Sequence, residues 1–473
     1  MSTLAEDLRL DVPHDESDGI YPIARRRRAW AAVALLGMLT VLDSTIANVA
    51  LPTIGRDLHA SPAATVWVTN AFQLAVTAML FTAAALGATR GLARTFLIGV
   101  GVFAVGSLLC AFSSTLPLLI GARIIQGAGG AMVMAVSPAL TREIFPRAEL
   151  GKAFGLMAMS VGVAGAAGPT VGGAMLAILP WPWLFAINVP FVVVVFALAR
   201  GALPSSHATY ERIDVPSMLA SAIGFTTLVY GLDGFGRNER PLSIAIESLA
   251  GAAVFAWFAQ RQFQLRVPMV ALDLFLLRPF RMAAGTSFAA WMSAGICVIS
   301  LPYLFQVEYG YTPLASGLVL TSWPIATAIA APIAGRFADR YSPGVIATIG
   351  LGIYAASLAL FATISGHASP ATVVAIGALC GVGFGTFQSP NNREIMGNAP
   401  DEKSGSAAAL LATLRVGAQT VGASVVGIVF ALYETTYADP AQYVRLAAPA
   451  ALWVACASAA VAAVVSGRRA FKR

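Results

Sequence analysis

The amino-acid sequence predicts an all-α membrane protein with fourteen transmembrane helices, arranged as two six-helix bundles plus two extra central helices. Three observations predict this fold: apolar runs recur along the whole chain, basic residues cluster between alternate runs, and the two halves repeat each other. Of 473 residues, 58% are hydrophobic and 11% are charged. Since a soluble protein carries roughly 25% charged residues, most of this surface is expected to face lipid. This composition excludes a single soluble domain.

Fourteen apolar segments are long enough to be predicted as membrane-spanning helices, because a span needs about 20 apolar residues. Gly and Pro are frequent inside them, as membrane helices tolerate. The segments are residues 29–51, 63–87, 95–113, 116–141, 152–178, 183–203, 215–233, 241–260, 282–306, 313–335, 345–364, 370–392, 405–433 and 446–467.

The distribution of Lys and Arg predicts the orientation, because basic residues favour cytoplasmic loops. With both termini cytoplasmic, 24 of the 30 basic residues fall on the cytoplasmic side. The run Arg25–Arg28 is then a topology anchor beside the first helix, and the net charge of +7 needs no nucleic-acid partner. The four basic residues on the outer side are Arg56, Arg237, Arg240 and Arg445.

The chain contains an internal repeat. The Gly- and Arg-containing string Gly87–Arg94 returns at Gly335–Ser342, 248 residues later, and Ser137–Ile144 is matched by Ser389–Ile395. Two related halves imply a central binding site and alternating access to it. The predicted domains are a cytoplasmic tail (1–28), an N-terminal six-helix bundle (29–204), an inserted helix pair (205–265), a C-terminal six-helix bundle (266–467) and a cytoplasmic tail (468–473).

Patterns for other kinds of chemistry do not emerge. The four Cys lie singly in apolar segments without metal-ligand spacing, which predicts no metal site and no disulfide. The sequence contains no phosphate-binding loop, which argues against ATP as the energy source. It contains no nucleophile–base arrangement either, which argues against an enzyme.

Asp43 in the first predicted helix is the residue most suggestive of function. A carboxylate in hydrocarbon costs at least about 3 kcal/mol and normally faces a polar cavity. From the helix rise, Asp43 lies about 12 Å and Arg123 about 10 Å from the outer ends of their helices, so the two are predicted to pair. One hypothesis is that Asp43 alternately binds a proton and a substrate; the alternative is a static ion pair that holds two helices together.

Several motifs resemble the major facilitator superfamily, specifically its fourteen-span branch of drug:proton antiporters. Leu42–Pro52 is similar to that branch's first-helix signature, and Arg123–Gly127 and Trp183–Pro190 also fit. The fifth helix resembles the antiporter motif, although Ala164 stands where the pattern has Gly. The motif residues are Gly155, Gly165, Gly168, Pro169, Gly172 and Gly173.

The resemblance implies a proton-coupled exporter of hydrophobic toxic compounds in a bacterial inner membrane, and the single deep acid, Asp43, favours cationic or neutral compounds among them. Its partners would be small-molecule substrates, protons and the lipid bilayer, with the proton motive force instead of a cofactor and a monomeric chain. Asp43 and Arg123 would couple protons to transport. The alternatives are an exporter of one endogenous metabolite and, from another class, a receptor or channel.

One loop departs from the family pattern. Ala88 replaces the usual Asp after the second helix, whereas the copy after the tenth helix keeps its acid. A conformational latch between the halves is therefore expected to rest on Asp339, Arg340, Arg142 and Arg393.

A substrate pocket of such an exporter should be apolar with a few polar groups. The candidate substrate-binding residues are Asp43, Asn48, Phe72, Gln73, Gln126, Trp291, Tyr303, Gln306, Trp323, Gln388 and Arg415.

Overall fold

A computed structural model describes residues 22–204, 214–234, 240–265, 268–364, 368–400, 403–437 and 439–470. The predicted tail residues 1–21 and 471–473, and the predicted outer residue Arg237, lie outside these ranges. Each of the fourteen predicted segments contains a helix in the described residues. The helices are α1 (Ile23–Asp57), α2 (Pro62–Arg90), α3 (Leu92–Ala111), α4 (Leu116–Ile144), α5 (Leu150–Ile178), α6 (Trp183–Ala199), α7 (Val215–Asp233), α8 (Pro241–Gln264), α9 (Arg278–Tyr303), α10 (Pro313–Phe337), α11 (Pro343–Thr363), α12 (Pro370–Gly397), α13 (Ser404–Glu434) and α14 (Pro440–Ala470).

Twelve of the helices in the described ranges are long and apolar enough to cross a membrane. The other two, α6 and α7, are shorter apolar helices. In α6 the helix is interrupted at Ile187, and its second part ends at Ala199, before the end of the apolar run. The structure therefore supports twelve candidate spans, and the prediction of fourteen is not established by it.

The first helix begins earlier than the apolar run that predicted it. α1 starts at Ile23, so the basic run Arg25–Arg28 belongs to its first turns and not to a separate tail. Arg25 Nε donates to the carbonyl of Ala202 at 3.3 Å, and Arg28 Nη2 donates to that of Ala197 at 3.2 Å. The Ala197 carbonyl lies in the last turn of α6, where a helix lacks internal donors and carries negative dipole charge, and the Ala202 carbonyl lies just beyond it.

The two bundles pack around different apolar cores. Residues such as Leu36, Phe96 and Phe103 form a cluster within the N-terminal bundle α1–α6. A second, larger cluster contains residues of α9–α14 and continues into Leu51 and Ile54 of α1. We call the face that carries Ile23 and Ala470 the terminal face, and the opposite face the distal face. The continuous core therefore joins the bundles near the distal face.

Helices α5 and α10 approach each other closely between the bundles. A Cβ added at Gly173 would lie 2.8 Å from the Cα of Leu314, and one added at Gly317 would lie 2.7 Å from the carbonyl carbon of Pro169. Only glycine permits such backbone proximity. The hydroxyls of Thr170 and Thr321 hydrogen-bond beside this contact, at 2.6 Å.

The distal ends of α1 and α9 make a second contact between the bundles. After Tyr303 the chain forms a π-helical turn at Leu304–Glu308. Gln306 Nε2 in this turn donates to the carbonyl of Val49 at 2.8 Å, and the Tyr303 hydroxyl donates to that of Pro62 at 3.4 Å. We call these contacts, together with the α5–α10 contact, the distal seam. It closes the interface between the bundles at the distal face.

The helix pair α7 and α8 lies beside the interface between the bundles. Its two helices approach closely, since a Cβ added at Gly224 would lie 2.9 Å from the backbone nitrogen of Phe255. The Phe258 ring of α8 stacks on Phe81 of α2, with centroids 6.4 Å apart. Phe225 of α7 reaches α13 near Gly417. The pair thus contacts one helix of each bundle.

Candidate functional site

Asp43 lies at the centre of a hydrogen-bonded cluster inside the N-terminal bundle. Arg123 Nη1 of α4 donates to its Oδ2 at 2.5 Å, and Gln126 Nε2 and Asn188 Nδ2 donate to its Oδ1 at 2.8 and 2.6 Å. Gln126 also accepts from Arg123 at 2.6 Å and donates to Ser107 of α3 at 2.9 Å. We call these five residues the acid cluster. The predicted pairing of Asp43 with Arg123 is confirmed geometrically.

The guanidinium of Arg123 is completely buried. Its Nε donates to the carbonyl of Val68 at 2.9 Å, and its Cζ lies 4.2 Å from the ring centroid of Phe72 and 5.5 Å from that of Phe185. Its Nη2 is buried without a partner. Because an unpaired buried charge is costly, each member of the Asp43–Arg123 pair depends on the other.

The acid cluster is enclosed in this conformation. The Asp43 side chain is fully buried, and Asp43 is absent from the residues that line the cavity of about 620 Å³ at the distal face. The expectation that Asp43 faces an open cavity is therefore not met in this state, because three donors from α4 and α6 surround the carboxylate. Its role as a proton carrier stays a prediction that requires another conformation.

The predicted substrate-binding residues lie at three places instead of one. Asn48, Phe72, Gln73 and Gln126 are buried in the N-terminal bundle with Asp43. Tyr303 and Gln306 line the distal cavity. The others, which lie in the C-terminal bundle and are partly exposed, are Trp291, Trp323, Gln388 and Arg415.

Arg415 organises the C-terminal group. Its Nη2 donates to Asn392 Oδ1 at 2.5 Å, and its Cζ lies 5.3 Å from the Trp291 ring. Trp291 packs edge-on against Phe384 with centroids 5.1 Å apart, and Phe384 contacts Trp323 at 5.9 Å. The sequence predicted Arg415 and both Trp residues for this site, but Asn392 and Phe384 were missed.

The antiporter-like motif of α5 packs against α1 close to Asp43. A Cβ added at Gly168 would lie 2.7 Å from Cβ of Thr45, and one added at Gly172 would lie 3.2 Å from Cα of Ile46. Gly155 has no atom within 4 Å of such a Cβ, and Gly165 only one, at 3.9 Å. The motif therefore divides into a close-packed part around Pro169 and an open part toward the terminal face.

The expected latch residues do not join the two bundles in this conformation. Asp339 forms an ion pair with Arg393, and both belong to the C-terminal bundle. Arg142 and Arg340 are exposed. Because the bundles meet at the distal seam, a latch between them at the terminal face stays a prediction for another state.

A second buried ion pair was missed by the sequence reasoning. Glu394 of α12 pairs with Arg469 of α14 at 2.8 Å, with side chains 7% and 6% exposed. Arg469 Nη1 also donates to Asn391 at 3.3 Å. The sequence placed Arg469 in the cytoplasmic tail and gave Glu394 no role beyond the internal repeat, yet the helices continue through both residues. Glu143, which matches Glu394 in the internal repeat, was the available signal.

Comparison with known proteins relates the chain to a transporter family. The sequence model of the Major Facilitator Superfamily matches residues 33–423 and, again, residues 282–471. The chain is 40% identical to the uncharacterized transporter YebQ of Escherichia coli, over 97% of this chain and 98% of the relative. It is 31% identical to the tetracenomycin C resistance and export protein of Streptomyces glaucescens (91% and 80% covered) and 28% identical to the riboflavin transporter RibZ of Clostridioides difficile (82% and 85% covered).

Proposed function

The chain belongs to the Major Facilitator Superfamily, and we propose that it is a proton-coupled exporter of hydrophobic toxic compounds that works by alternating access. The observation that carries this proposal is the acid cluster, in which one membrane-embedded carboxylate is held by three donors. The export protein for tetracenomycin C among its relatives supports the toxic-compound assignment.

The donors around Asp43 suit an ionised carboxylate, because that group only accepts hydrogen bonds. A proton on Asp43 turns one oxygen into a donor, which faces the donating groups of Arg123, Gln126 or Asn188. On Oδ1, which already accepts from both Gln126 and Asn188, the proton displaces one of these bonds; on Oδ2 it removes the negative charge that strengthens the bond from Arg123. Protonation thus changes the packing of α1 against α4 and α6, which is the local event that proton coupling needs.

A continuous set of contacts links Asp43 to the distal seam. Thr45 and Ile46, on the same helix, pack against Gly168 and Gly172 of α5. The next residue, Gly173, packs against Leu314 of α10 in the other bundle. In this proposal a shift of α1 on protonation is transmitted through α5 to the seam, where opening would expose the distal side.

The remaining parts of the proposal concern topology and energy source. The chain would span a bacterial inner membrane fourteen times, with α6 and α7 as spans, and place both termini in the cytoplasm. The proton motive force would drive export by a monomer. The relation to the fourteen-span drug:proton antiporters rests on the Leu42–Pro52 and Gly155–Gly173 motifs.

Export of a specific metabolite is the second candidate function. The riboflavin transporter among the relatives favours it, since its named substrate is a metabolite and not a drug. A panel of toxic compounds distinguishes the candidates. Broad resistance in cells that express the protein supports drug export, whereas the absence of resistance supports export of a metabolite.

The central experiment measures coupling in liposomes that contain the purified chain and an imposed pH gradient, with one cationic aromatic probe (ethidium) and one anionic aromatic probe (naphthalenesulfonate). We expect gradient-driven transport by the native chain and its loss in Asp43→Asn. The matched control is Asp439→Asn, because Asp439 is exposed and caps α14, a role that Asn also fills. Gradient-driven transport that persists in Asp43→Asn would refute the carrier role.

A further inference from the structure

We propose that Arg415, Trp291 and Asn392 form a subsite for substrates that combine an aromatic ring with a negatively charged acceptor group, such as a carboxylate or phenolate. The inference rests on the proposed transport function and specifies its substrate class. It differs from the sequence-based expectation of cationic or neutral cargo, which considered Asp43 alone.

The subsite is formed where three helices of the C-terminal bundle meet. Arg415 comes from α13, Trp291 from α9 and Asn392 from α12, and all three are partly exposed. Arg415 lies about 16 Å from the start of α13 by helix rise, which is close to the membrane midplane. Five residues further along α13, the Thr420 hydroxyl lies 3.5 Å from the Thr77 hydroxyl of the other bundle. The subsite therefore borders the interface between the bundles.

The charge of Arg415 is not balanced by the described part of the chain. Among the described residues no carboxylate forms an ion pair with it. Asp43, by contrast, is paired with Arg123 inside its own bundle, so that cluster contributes no net charge. A membrane-embedded cation without a partner is costly, and an anionic ligand would offset that cost.

Two buried hydrogen-bonding groups of the subsite have no partner, and both are donors. Arg415 Nε and Trp291 Nε1 are buried without a partner. The one acceptor contact of the group, Asn392 Oδ1, is already occupied by Arg415 Nη2. A ligand with two acceptor oxygens would satisfy both donors, whereas a cationic ligand would leave them unpaired.

Aromatic surface lies beside the donors. The Trp291 ring contacts Phe384, which in turn contacts Trp323. Such flat apolar surface favours a ring on the ligand, since aromatic pairs add to the stabilisation that burial provides. The combination of a cation with an aromatic wall selects the ligand class named above.

Calorimetric binding to the purified full-length chain tests the charge preference with three probes that share one ring system: naphthoate (anion), naphthamide (neutral) and naphthylmethylammonium (cation). We expect naphthoate to bind at least about tenfold more tightly than naphthylmethylammonium. Equal affinities, or a preference for the cation, would overturn the proposal.

Two variants then assign the preference to the subsite. Arg415→Gln should bring the ratio of the two affinities close to one. Asn392→Asp should do the same while keeping Arg415, because it supplies the missing negative charge, and it remains informative if Arg415→Gln fails to fold. The control Arg445→Gln, at an exposed ion pair with Glu308, should leave the ratio unchanged. An anion preference that survives both subsite variants would place it elsewhere and refute the assignment.

The binding test of the subsite and the transport test of proton coupling can fail independently. Loss of proton-driven transport in Asp43→Asn with no anion preference in the native chain would refute only the subsite. An anion preference without proton-driven transport would refute the coupling and leave the subsite standing.

Discussion

Replacing Gly317 by Ala should weaken the distal seam. The new Cβ would lie 2.7 Å from the carbonyl carbon of Pro169, where carbon atoms prefer about 3.5–4.0 Å. Helices α5 and α10 must therefore separate by about 1 Å. Overpacking of this kind costs about 1–3 kcal/mol, and the cost falls only on the state in which the seam is closed. The ratio of seam-open to seam-closed molecules should rise by roughly 5- to 150-fold.

Spin labels on opposite sides of the distal cavity measure this shift. Arg56→Cys on α1 and Ala441→Cys on α14 both line that cavity. Of the native cysteines, Cys456 is partly exposed and would be replaced by Ala, while the other three are buried. Double electron–electron resonance should show that a larger fraction of the Gly317→Ala molecules have the longer distance between the two spin labels.

The matched control is Gly352→Ala, because a Cβ at Gly352 has no atom within 4 Å. It should give the same distance distribution as the native glycine. If Gly317→Ala and Gly352→Ala give identical distributions, the seam does not set the balance between the two states and the reasoning is wrong.

Three further predictions follow from ion pairs. Arg123→Met should lower the free energy of unfolding by about 3–5 kcal/mol by leaving Asp43 buried and unpaired; adding Asp43→Asn should recover most of this in thermal unfolding, and no recovery would contradict the pairing. Hydrogen bonds from Arg261 hold the pKa of Asp214 below its ordinary value of 3.8. A lowered folded-state pKa stabilises the start of α7 at higher pH, and this stabilisation is lost as the medium is acidified, so amide exchange there should accelerate only below about pH 4. Arg261→Gln should reduce this acid response, since Ser217 still donates to Asp214. Arg393→Ala breaks an exposed pair and should change thermal unfolding by less than about 1 kcal/mol; a larger change would show that the pair is more than a surface contact.

The sequence predicted the helices well because a membrane helix is recorded in one continuous apolar run. It also predicted that Asp43 and Arg123 meet, since helix rise places both at one depth. It missed Ser107 as a partner, and Asn188 was noted only as part of a motif. Their positions depend on how α3 and α6 rotate and pack against α4, which hydropathy does not record.

Accessibility was the other property that the sequence could not supply. An acid in an apolar run predicts a polar environment, but not whether water or protein provides it. Here the donors of Arg123, Gln126 and Asn188 provide it, so Asp43 is enclosed. Likewise, the sequence does not record that Asp339 pairs with Arg393 inside one bundle, because that pairing depends on how the end of α10 packs against α12.

The π-helical turn at Leu304–Glu308 has a consequence for the angular setting of α9. A wider turn accommodates an additional residue and so displaces the side chains on either side of it around the helix axis. Deleting one residue there would swing the preceding or following part by about 100°. Gln306 would then no longer point at the Val49 carbonyl, and α1 would lose this hydrogen bond to the other bundle. This one irregular turn therefore sets the rotation of α9 about its axis at the point where the two bundles are in contact.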